Sequence, residues 1–167
     1  EAFLKAAALD VADDGIVTIV CHRSEMGQGI RTTMPMIIAD EMEADWARCR
    51  VEQAVGDPKY GSQNTDGSTS IRDFLHKYRE AGATTRALRE AAAASQWNVA
   101  VAEVFARQHE VVHRPTARTK PFGELVVSTR IGVSGASRWT PSTIWSERSS
   151  SRPPQARTKT STSCVWS

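Results

Sequence analysis

The sequence predicts an α+β fold, in which a few strands carry helices packed on one face and a C-terminal tail of low order follows. The run at 16–21 is β-branched and apolar at nearly every position, which is typical of a buried strand. Apolar residues at helical spacing appear twice after it, in segments that begin near Met34 and Ile71. Towards the C-terminus, Ser, Thr, Arg and Pro dominate without any periodicity. We therefore expect a domain over residues 1–127 and a poorly ordered tail over residues 128–167.

The composition excludes several classes of protein. The chain has 167 residues, 40% of them hydrophobic and 24% charged, which is ordinary for a globular domain with a core. A net charge of +2 is too small to indicate a nucleic-acid partner. No run approaches the roughly 20 apolar residues that a membrane span requires. The apolar opening at 3–8 lacks the arginine pair of an export signal. We expect neither a nucleic-acid partner nor a membrane segment, and the compartment, periplasmic or cytoplasmic, stays open.

Local signals define the elements of the first half. Asp and Gly at 13–15 favour a tight turn before the buried strand. Met34, Ile38 and Met42 then fall on one face of a helix, since they are spaced by four residues. Apolar and polar residues alternate over 49–55, which predicts a half-buried strand.

The second half is predicted to contain the longest helix. Its apolar stripe begins at Ile71, and its alanine run ends at Ala94. The small residues at 81–83 would let a neighbouring element approach closely or would mark a bend. Three weaker predictions follow: a short helix at 98–107, a hairpin at 110–120 and a helix start at 122–127.

Cysteines and histidines give no sign of a metal site. Cys21, Cys49 and Cys164 lie far apart without Cys-x-x-Cys spacing, so we expect buried or idle thiols. The histidines lack the i, i+4 or clustered spacing of metal ligands. His22 is expected to face solvent.

Two glycine-containing loops, each opening a helix, are the candidate ligand site. In the first, Gly27 and Gly29 flank Gln28, whose amide can donate to an oxo or phosphate oxygen. Glycine lets a backbone approach a ligand closely, and a helix N-terminus presents unpaired N–H groups. The second loop, at 64–70, gathers hydroxyls and amides around Gly67 at the start of the longest helix.

A purely structural interpretation stays open for both loops. The Gly-Gln-Gly turn could be a plain strand-to-helix turn, and Ser68 or Ser70 could be only an N-cap. Glu25 could be a general base, although an orienting or structural role is simpler. Two such loops in one domain nevertheless favour one polyanionic ligand more strongly than either loop does alone.

Several ordered motifs carry a resemblance to a known family. The first loop reads His-Arg-Ser-Glu-Met-Gly-Gln-Gly over 22–29, with Ala-Asp-Glu-Met at 39–42. An Asp-Gly-x-Val-Thr turn and strand precedes it at 14–18. A Thr-x-Gly-Ser-x-Ser loop at 65–70 and an Arg-x-Ala-Gly-Ala-x-x-Arg segment at 79–86 follow. Together they resemble the large subunit of molybdenum hydroxylases of the aldehyde oxidase/xanthine dehydrogenase family. The nearest branch is that of the isoquinoline 1-oxidoreductase β-subunit and bacterial membrane-associated aldehyde dehydrogenases.

This resemblance, which spans residues 10–127, implies a molybdenum-pterin cofactor in its cytosine dinucleotide form. It implies that Gln28 hydrogen-bonds the oxo ligand of molybdenum and that the second loop lines the pterin or its nucleotide. The implied cofactor-binding residues are Gly27, Gln28, Gly29, Thr65, Gly67, Ser68 and Ser70. The family reaction inserts a water-derived oxygen into a C–H bond of an aldehyde or N-heterocycle, and electrons leave through an iron–sulfur or haem partner.

The chain also departs from the family pattern. The catalytic glutamate of those subunits lies in a Gly-rich segment near their far C-terminus, and this chain contains no such segment. We therefore expect a molybdopterin-binding portion that is inactive alone and has the remainder of the large subunit as its partner. An out-of-frame end would explain the composition of residues 128–167. The alternative is a non-catalytic interaction module whose Gly and Ser loops only cap helices.

Overall fold

The computed structural model describes residues 9–125, in which two small sheets and two helices form the predicted α+β fold. The predicted tail lies outside the described residues. The strands are β1 (Leu9–Val11), β2 (Val17–Cys21), β3 (Cys49–Gln53), β4 (Val104–Arg107), β5 (Glu110–His113) and β6 (Thr119–Pro121). The helices are α1 (Ile30–Met42) and α2 (Thr69–Trp97).

The first sheet has the order β1-β2-β3 and contains a parallel pair. Strand β1 pairs antiparallel with β2, whereas β3 pairs parallel with β2. Parallel neighbours need a crossover connection, and α1 provides it. The register sets Val17 opposite Cys49 and Cys21 opposite Gln53, so both strands end at the same edge of the sheet.

The second sheet is an antiparallel meander of β4, β5 and β6. The hairpin prediction is confirmed by β5 and β6, but the short helix predicted at 98–107 is wrong. Helix α2 ends at Trp97, and its C-cap residue, Asn98, adopts a left-handed φ of 53°. After a single 3-10 turn at Val101–Glu103, β4 pairs with β5 along its whole length. Backbone pairing and the burial of Val104 and Ala106 override the helix preference of the local alanines. The predicted helix start at 122–127 is only one 3-10 turn, Phe122–Glu124, within the described residues.

The core lies between α1, α2 and the sheets. Met34, Ile38 and Met42 are all 0–1% exposed, which confirms the predicted face of α1. Strand β2 is buried on both faces, as its continuous apolar sequence predicts. Tyr78 and Ala93 are the most completely buried residues of α2. No helix among the described residues is long and apolar enough to cross a bilayer.

The two helices approach closely at Gly82, where the small residues at 81–83 predicted either a close approach or a bend. A Cβ atom at Gly82 would lie 2.7 Å from both the Cβ of Glu41 and the carbonyl oxygen of Ile38. Helix α2 continues through this position, so the function of Gly82 is to let α1 approach.

Candidate functional site

The two predicted ligand loops begin at the same edge of the first sheet. The loop at 22–29 leaves the end of β2 and enters α1. The segment at 54–68, which contains most of the predicted second loop at 64–70, leaves the end of β3 and enters α2. Because β2 and β3 are parallel neighbours, both loops emerge side by side. The topology therefore brings together segments that lie about 40 residues apart in the sequence, as expected for a ligand site at the carboxyl ends of parallel strands.

Side-chain and backbone bonds tie the two loops together. The Nε2 of Gln53 donates to the carbonyl oxygens of Cys21 (3.1 Å) and Arg23 (3.0 Å). The hydroxyl of Thr65 donates to the carbonyl oxygen of Ser24 over 2.9 Å. The second loop is thus held against the first through main-chain acceptors.

The carboxylate of Glu25 occupies the N-terminus of α1. Its Oε1 accepts from the backbone N–H groups of Gly27 (2.6 Å) and Gly29 (3.1 Å), and its Oε2 accepts from that of Arg31 (2.9 Å). The N–H bonds from Arg31 and Gly29 are the main reason why the pKa of Glu25 lies below its usual range. The expectation that this helix end offers unpaired N–H groups is therefore wrong at these three amides. Glu25 itself takes the structural role that the sequence left open.

We expect Glu25→Gln to loosen this loop without disturbing the core. A glutamine amide can accept at one end only, so its NH₂ group would face an N–H donor of Gly29 or Arg31. Amide exchange at Gly29 or at Arg31 should become about tenfold faster, as expected for the loss of one charge-assisted hydrogen bond. Hydrogen exchange followed by NMR tests this prediction. Glu52→Gln, an exposed change on β3, is the matched control and should leave both amides unchanged, and equal exchange in the two variants would contradict the prediction.

Gln28 is held within the first loop by two bonds. Its Oε1 accepts from the backbone N–H of Met26 (2.6 Å), and its Nε2 donates to the carbonyl oxygen of Ser24 (3.0 Å). An amide nitrogen carries two hydrogens, so one remains for a further acceptor. The flanking Gly27 and Gly29 have φ values of 93° and 84°. Residues other than glycine rarely adopt this left-handed backbone conformation.

The N-terminus of α2 offers two free donors, whereas at that of α1 only the N–H of Ile30 meets no acceptor among the described residues. Ser68, one of the two N-cap candidates in the sequence, is the N-cap residue, but its side chain makes no capping bond. The N–H of Thr69 bonds to the carbonyl of Asp66, whereas those of Ser70 and Ile71 meet no acceptor in the part of the chain that the structure describes. Since α2 is 29 residues long, its dipole adds partial positive charge at these two amides.

Both predicted loops line one cavity of about 360 Å³. Its walls are formed by Gln28, Ile30, Thr33, Thr65, Asp66, Gly67, Ser68, Ser70 and Ile71. The structure thus brings Gln28 together with four of the predicted residues of the second loop. Gly27 and Gly29 do not line the cavity, and they act on it through the conformation of the turn that carries Gln28.

A second cavity, of about 500 Å³, contains none of the predicted site residues. Asp40, Glu43, Asp45, Trp46 and Gln108 form most of its wall. Three carboxylates would repel a polyanionic ligand. The cavity between the two loops is therefore the better candidate site, although it is smaller.

Arg23 is a site residue that the sequence did not predict. Its side chain is only 1% exposed, and no carboxylate pairs with it within residues 9–125. It donates to the hydroxyls of Ser70 (2.9 Å) and Thr69 (2.7 Å), and to the carbonyl oxygen of Ser62 (2.7 Å). Its guanidinium carbon also lies 5.0 Å from the ring centroid of Phe74. An arginine two residues after the predicted buried strand was the only signal in the sequence.

His22 is buried, so the expectation that it faces solvent is wrong. It is 2% exposed, its Nδ1 lies 2.8 Å from the hydroxyl of Tyr78, and its ring lies 4.6 Å from that of Phe74. Burial, followed by the charges of Arg23 and Lys77, lowers the pKa of His22 to about 4. Burial also raises the pKa of Tyr78. Both groups are therefore neutral at pH 7.

The thiols behave as the sequence predicts where the structure describes them. Cys21 is fully buried, and burial raises the pKa of its thiol. Cys49 is half-buried, and its pKa is raised to about 11 by burial and by the charge of Asp45. Cys164 lies outside the described residues. In residues 9–125, no cluster of three or more His, Cys, Asp or Glu side chains could hold a metal ion.

Solved structures share this α+β fold. Quinoline 2-oxidoreductase from Pseudomonas putida 86 superposes with a TM-score of 0.59 and 18% identity, over 88% of this chain and 17% of that one. CO dehydrogenase from Oligotropha carboxidovorans gives a TM-score of 0.61 and 21% identity, over 70% of this chain and 15% of that one. The fold is therefore that of a domain found within quinoline 2-oxidoreductase and CO dehydrogenase.

Residues 2–165 match the family described as Molybdopterin cofactor-binding domain, and the chain belongs to this family. The isoquinoline 1-oxidoreductase subunit beta of Brevundimonas diminuta is 37% identical over 71% of this chain and 16% of that protein. A membrane-bound aldehyde dehydrogenase of Gluconacetobacter polyoxogenes is 47% identical over 46% of this chain and 10% of that protein. The resemblance to molybdenum hydroxylase large subunits is confirmed, and the chain spans less than a fifth of the length of these relatives.

Proposed function

We propose that this chain provides the molybdenum-pterin-binding loops of an oxidoreductase that hydroxylates aldehydes or N-heterocycles. The observation that carries the proposal is the cavity that Gln28 and the loop at 65–70 line together. Its volume of about 360 Å³ lies within the range of about 300–1,000 Å³ that is usual for small-molecule sites. Membership of the family supports the cofactor.

The donor set of the cavity fits a pterin or phosphate group. The free N–H groups of Ser70 and Ile71 and the hydroxyl of Ser68 can donate to phosphoryl or carbonyl oxygens. The carboxylate of Asp66 lies on the same wall and can accept from an amino group, which a pterin or cytosine ring carries. A bound molybdenum would supply the oxygen-transfer and electron-accepting chemistry. The role of these residues is to bind and orient the organic part of the cofactor.

Gln28 is the proposed neighbour of the metal. Its amide is already fixed by Met26 and Ser24, and its remaining Nε2 hydrogen is available to donate to an oxo ligand. Because the glycines on either side set the turn, the amide needs no rearrangement to keep this orientation. This assignment rests on the family resemblance together with the position of Gln28 on the cavity wall.

The remaining proposals concern the whole enzyme. We propose aldehydes or N-heterocycles as substrates, and the names of the relatives, an isoquinoline 1-oxidoreductase subunit and an aldehyde dehydrogenase, support this. We propose the cytosine dinucleotide form of the pterin, and we propose the rest of the large subunit and an iron–sulfur or haem subunit as partners. These 167 residues contain no Gly-rich segment like the one that carries the family's catalytic glutamate, and we propose that they bind cofactor without turning over substrate alone.

The alternative function, a module whose loops only cap helices, has less support. It requires the serines of the second loop to serve the end of α2. The side chain of Ser68 makes no such bond, and the N–H groups of Ser70 and Ile71 meet no acceptor in the described residues. A ligand-binding role would provide acceptors for these donors, whereas a capping role uses neither them nor the hydroxyl of Ser68.

Cofactor binding can be tested with the full 167-residue chain. We would incubate it with molybdenum cofactor released from a purified molybdoenzyme, remove the excess by gel filtration, and measure molybdenum by mass spectrometry and pterin by fluorescence. About one equivalent of each is expected, and Gln28→Leu and Ser68→Gly should retain less. Gln96→Leu, an exposed change at the other end of α2, is the matched control. A chain that retains no pterin, or variants that retain as much as the control, would refute the proposal.

A further inference from the structure

Arg23 makes the same kind of contact with two serine hydroxyls, and the difference between them is informative. Its Nε donates to the Oγ of Ser70 over 2.9 Å, and its Nη1 lies 3.2 Å from the Oγ of Ser62. Ser62 is exposed, whereas Ser70 is only 4% exposed and forms part of the cavity wall. Only one of these two contacts can therefore influence what enters the cavity.

The bond from Arg23 determines what the hydroxyl of Ser70 can do. A hydroxyl has one hydrogen and two lone pairs, and the Nε–H of Arg23 takes a lone pair. The hydrogen must then point away from the guanidinium. In the described part of the chain it meets no acceptor, although the side chain is almost completely buried. Ser70 forms part of the cavity wall, so a ligand oxygen in the cavity would be an acceptor for this hydrogen.

Thr69, the neighbour of Ser70, shows that this arrangement is specific. Its Oγ1 also accepts from Arg23, over 2.7 Å. However, the hydroxyl of Thr69 donates in turn to the carbonyl oxygen of Asp66 over 2.8 Å, so its hydrogen is used inside the loop. Arg23 thus holds two adjacent hydroxyls at the start of α2, and only that of Ser70 keeps a free hydrogen.

We propose that Arg23 is a positioning residue that makes the hydroxyl of Ser70 a fixed donor to an anionic oxygen of the ligand. The inference rests on the proposed function, because it assumes that the cavity takes the phosphoryl or carbonyl oxygens of a pterin nucleotide. Together with the free N–H groups of Ser70 and Ile71, the hydroxyl completes a set of three donors at one helix end. The buried positive charge of Arg23, which has no carboxylate partner in residues 9–125, favours an anion there.

Inorganic pyrophosphate is a suitable probe, because it presents phosphoryl oxygens without the pterin. Binding to the full chain would be measured by NMR titration at fixed ionic strength, with the amides of Ser70 and Ile71 as reporters. Ser70→Ala should weaken binding about tenfold, as expected for the loss of one hydrogen bond to a charged group. Arg23→Lys keeps the charge but not the fork of donors, and it should weaken binding to a similar extent. Ser62→Ala removes the other serine contact of Arg23 and should leave binding unchanged.

The double variant Arg23→Lys/Ser70→Ala tests whether Arg23 acts through Ser70. If it does, the double variant binds pyrophosphate no more weakly than either single variant. Two results would overturn the inference and leave the proposed function standing. One is a loss of affinity in the double variant that equals the product of the two single losses, and the other is unchanged binding in Ser70→Ala. If circular dichroism shows that Arg23→Lys does not fold, the comparison of pyrophosphate binding by Ser70→Ala and Ser62→Ala still tests the inference. Equal binding by these two variants would overturn it. A wild-type chain that does not bind pyrophosphate would overturn the inference and the proposed phosphate contacts together.

Discussion

Replacing Gly82 with valine should lower the free energy of unfolding by about 3 kcal/mol or more, at the upper end of the cost of overpacking a core. The added Cβ would lie 2.7 Å from the carbonyl oxygen of Ile38, which is backbone and cannot move aside as a side chain would. It would also lie 2.7 Å from the Cβ of Glu41, whose buried carboxylate pairs with Arg79 over 2.7 Å. Separating the helices would therefore loosen this ion pair as well.

Gly82→Ala gives the sharper test, because the sign of its effect is informative. In an unhindered helix, alanine is more stable than glycine by about 1 kcal/mol. At Gly82 we expect the opposite, a loss of about 2 kcal/mol, since even one methyl group meets the backbone of α1. Ala91→Gly on the exposed face of α2 is the control and should lose about 1 kcal/mol through helix propensity alone. Urea denaturation of wild type, Gly82→Ala and Ala91→Gly measures these differences in the free energy of unfolding. A Gly82→Ala chain as stable as wild type would contradict the packing argument.

Local patterns predicted most of the fold, because they record burial directly. The apolar run at 16–21 became the buried strand β2, and Met34 and its partners became the buried face of α1. The segment at 98–107 was predicted wrongly, since its alanines and valines fit a helix and a strand almost equally well. The pairing of β4 with β5 decided between them, and that pairing depends on residues that a local window does not include.

The site was predicted in part. Glycine and hydroxyl-rich loops are visible in a sequence, and the structure brings Gln28 and Ser70 to one cavity. Arg23 was not predicted and His22 was predicted wrongly to face solvent, because charged and polar residues next to a loop are usually exposed. They are buried only because α2, almost 50 residues later, supplies Ser70, Phe74 and further partners. The burial of these two residues depends on the parallel pairing of β2 and β3, which brings the two loops together, and neither loop sequence records it.

The buried imidazole of His22 should make the domain sensitive to mild acid. Its pKa is about 4 in the folded chain and close to 6.5 when unfolded, so above pH 6.5 both states are neutral and stability is at its full value. Below pH 6.5 the unfolded state takes up a proton that the folded state refuses, and stability falls until the pH approaches 4. At about 1.4 kcal/mol for each pH unit, the loss attributable to His22 is about 3 kcal/mol. Protonation is unfavourable because the ring is buried and lies near Arg23 and Lys77.

Comparison of two histidine variants isolates this effect from the carboxylates and from His109, whose pKa burial also lowers. Free energies of unfolding would be measured by urea denaturation at several pH values between 7 and 4. In His22→Gln the loss of stability on acidification should be smaller than in wild type by about 3 kcal/mol, whatever the stability of the variant at pH 7. His76→Gln, an exposed change on the same helix that carries Tyr78, should retain the wild-type slope. Parallel slopes for wild type and His22→Gln would mean that the ring takes up a proton in the folded chain, and that α2 does not seal the end of β2 from water.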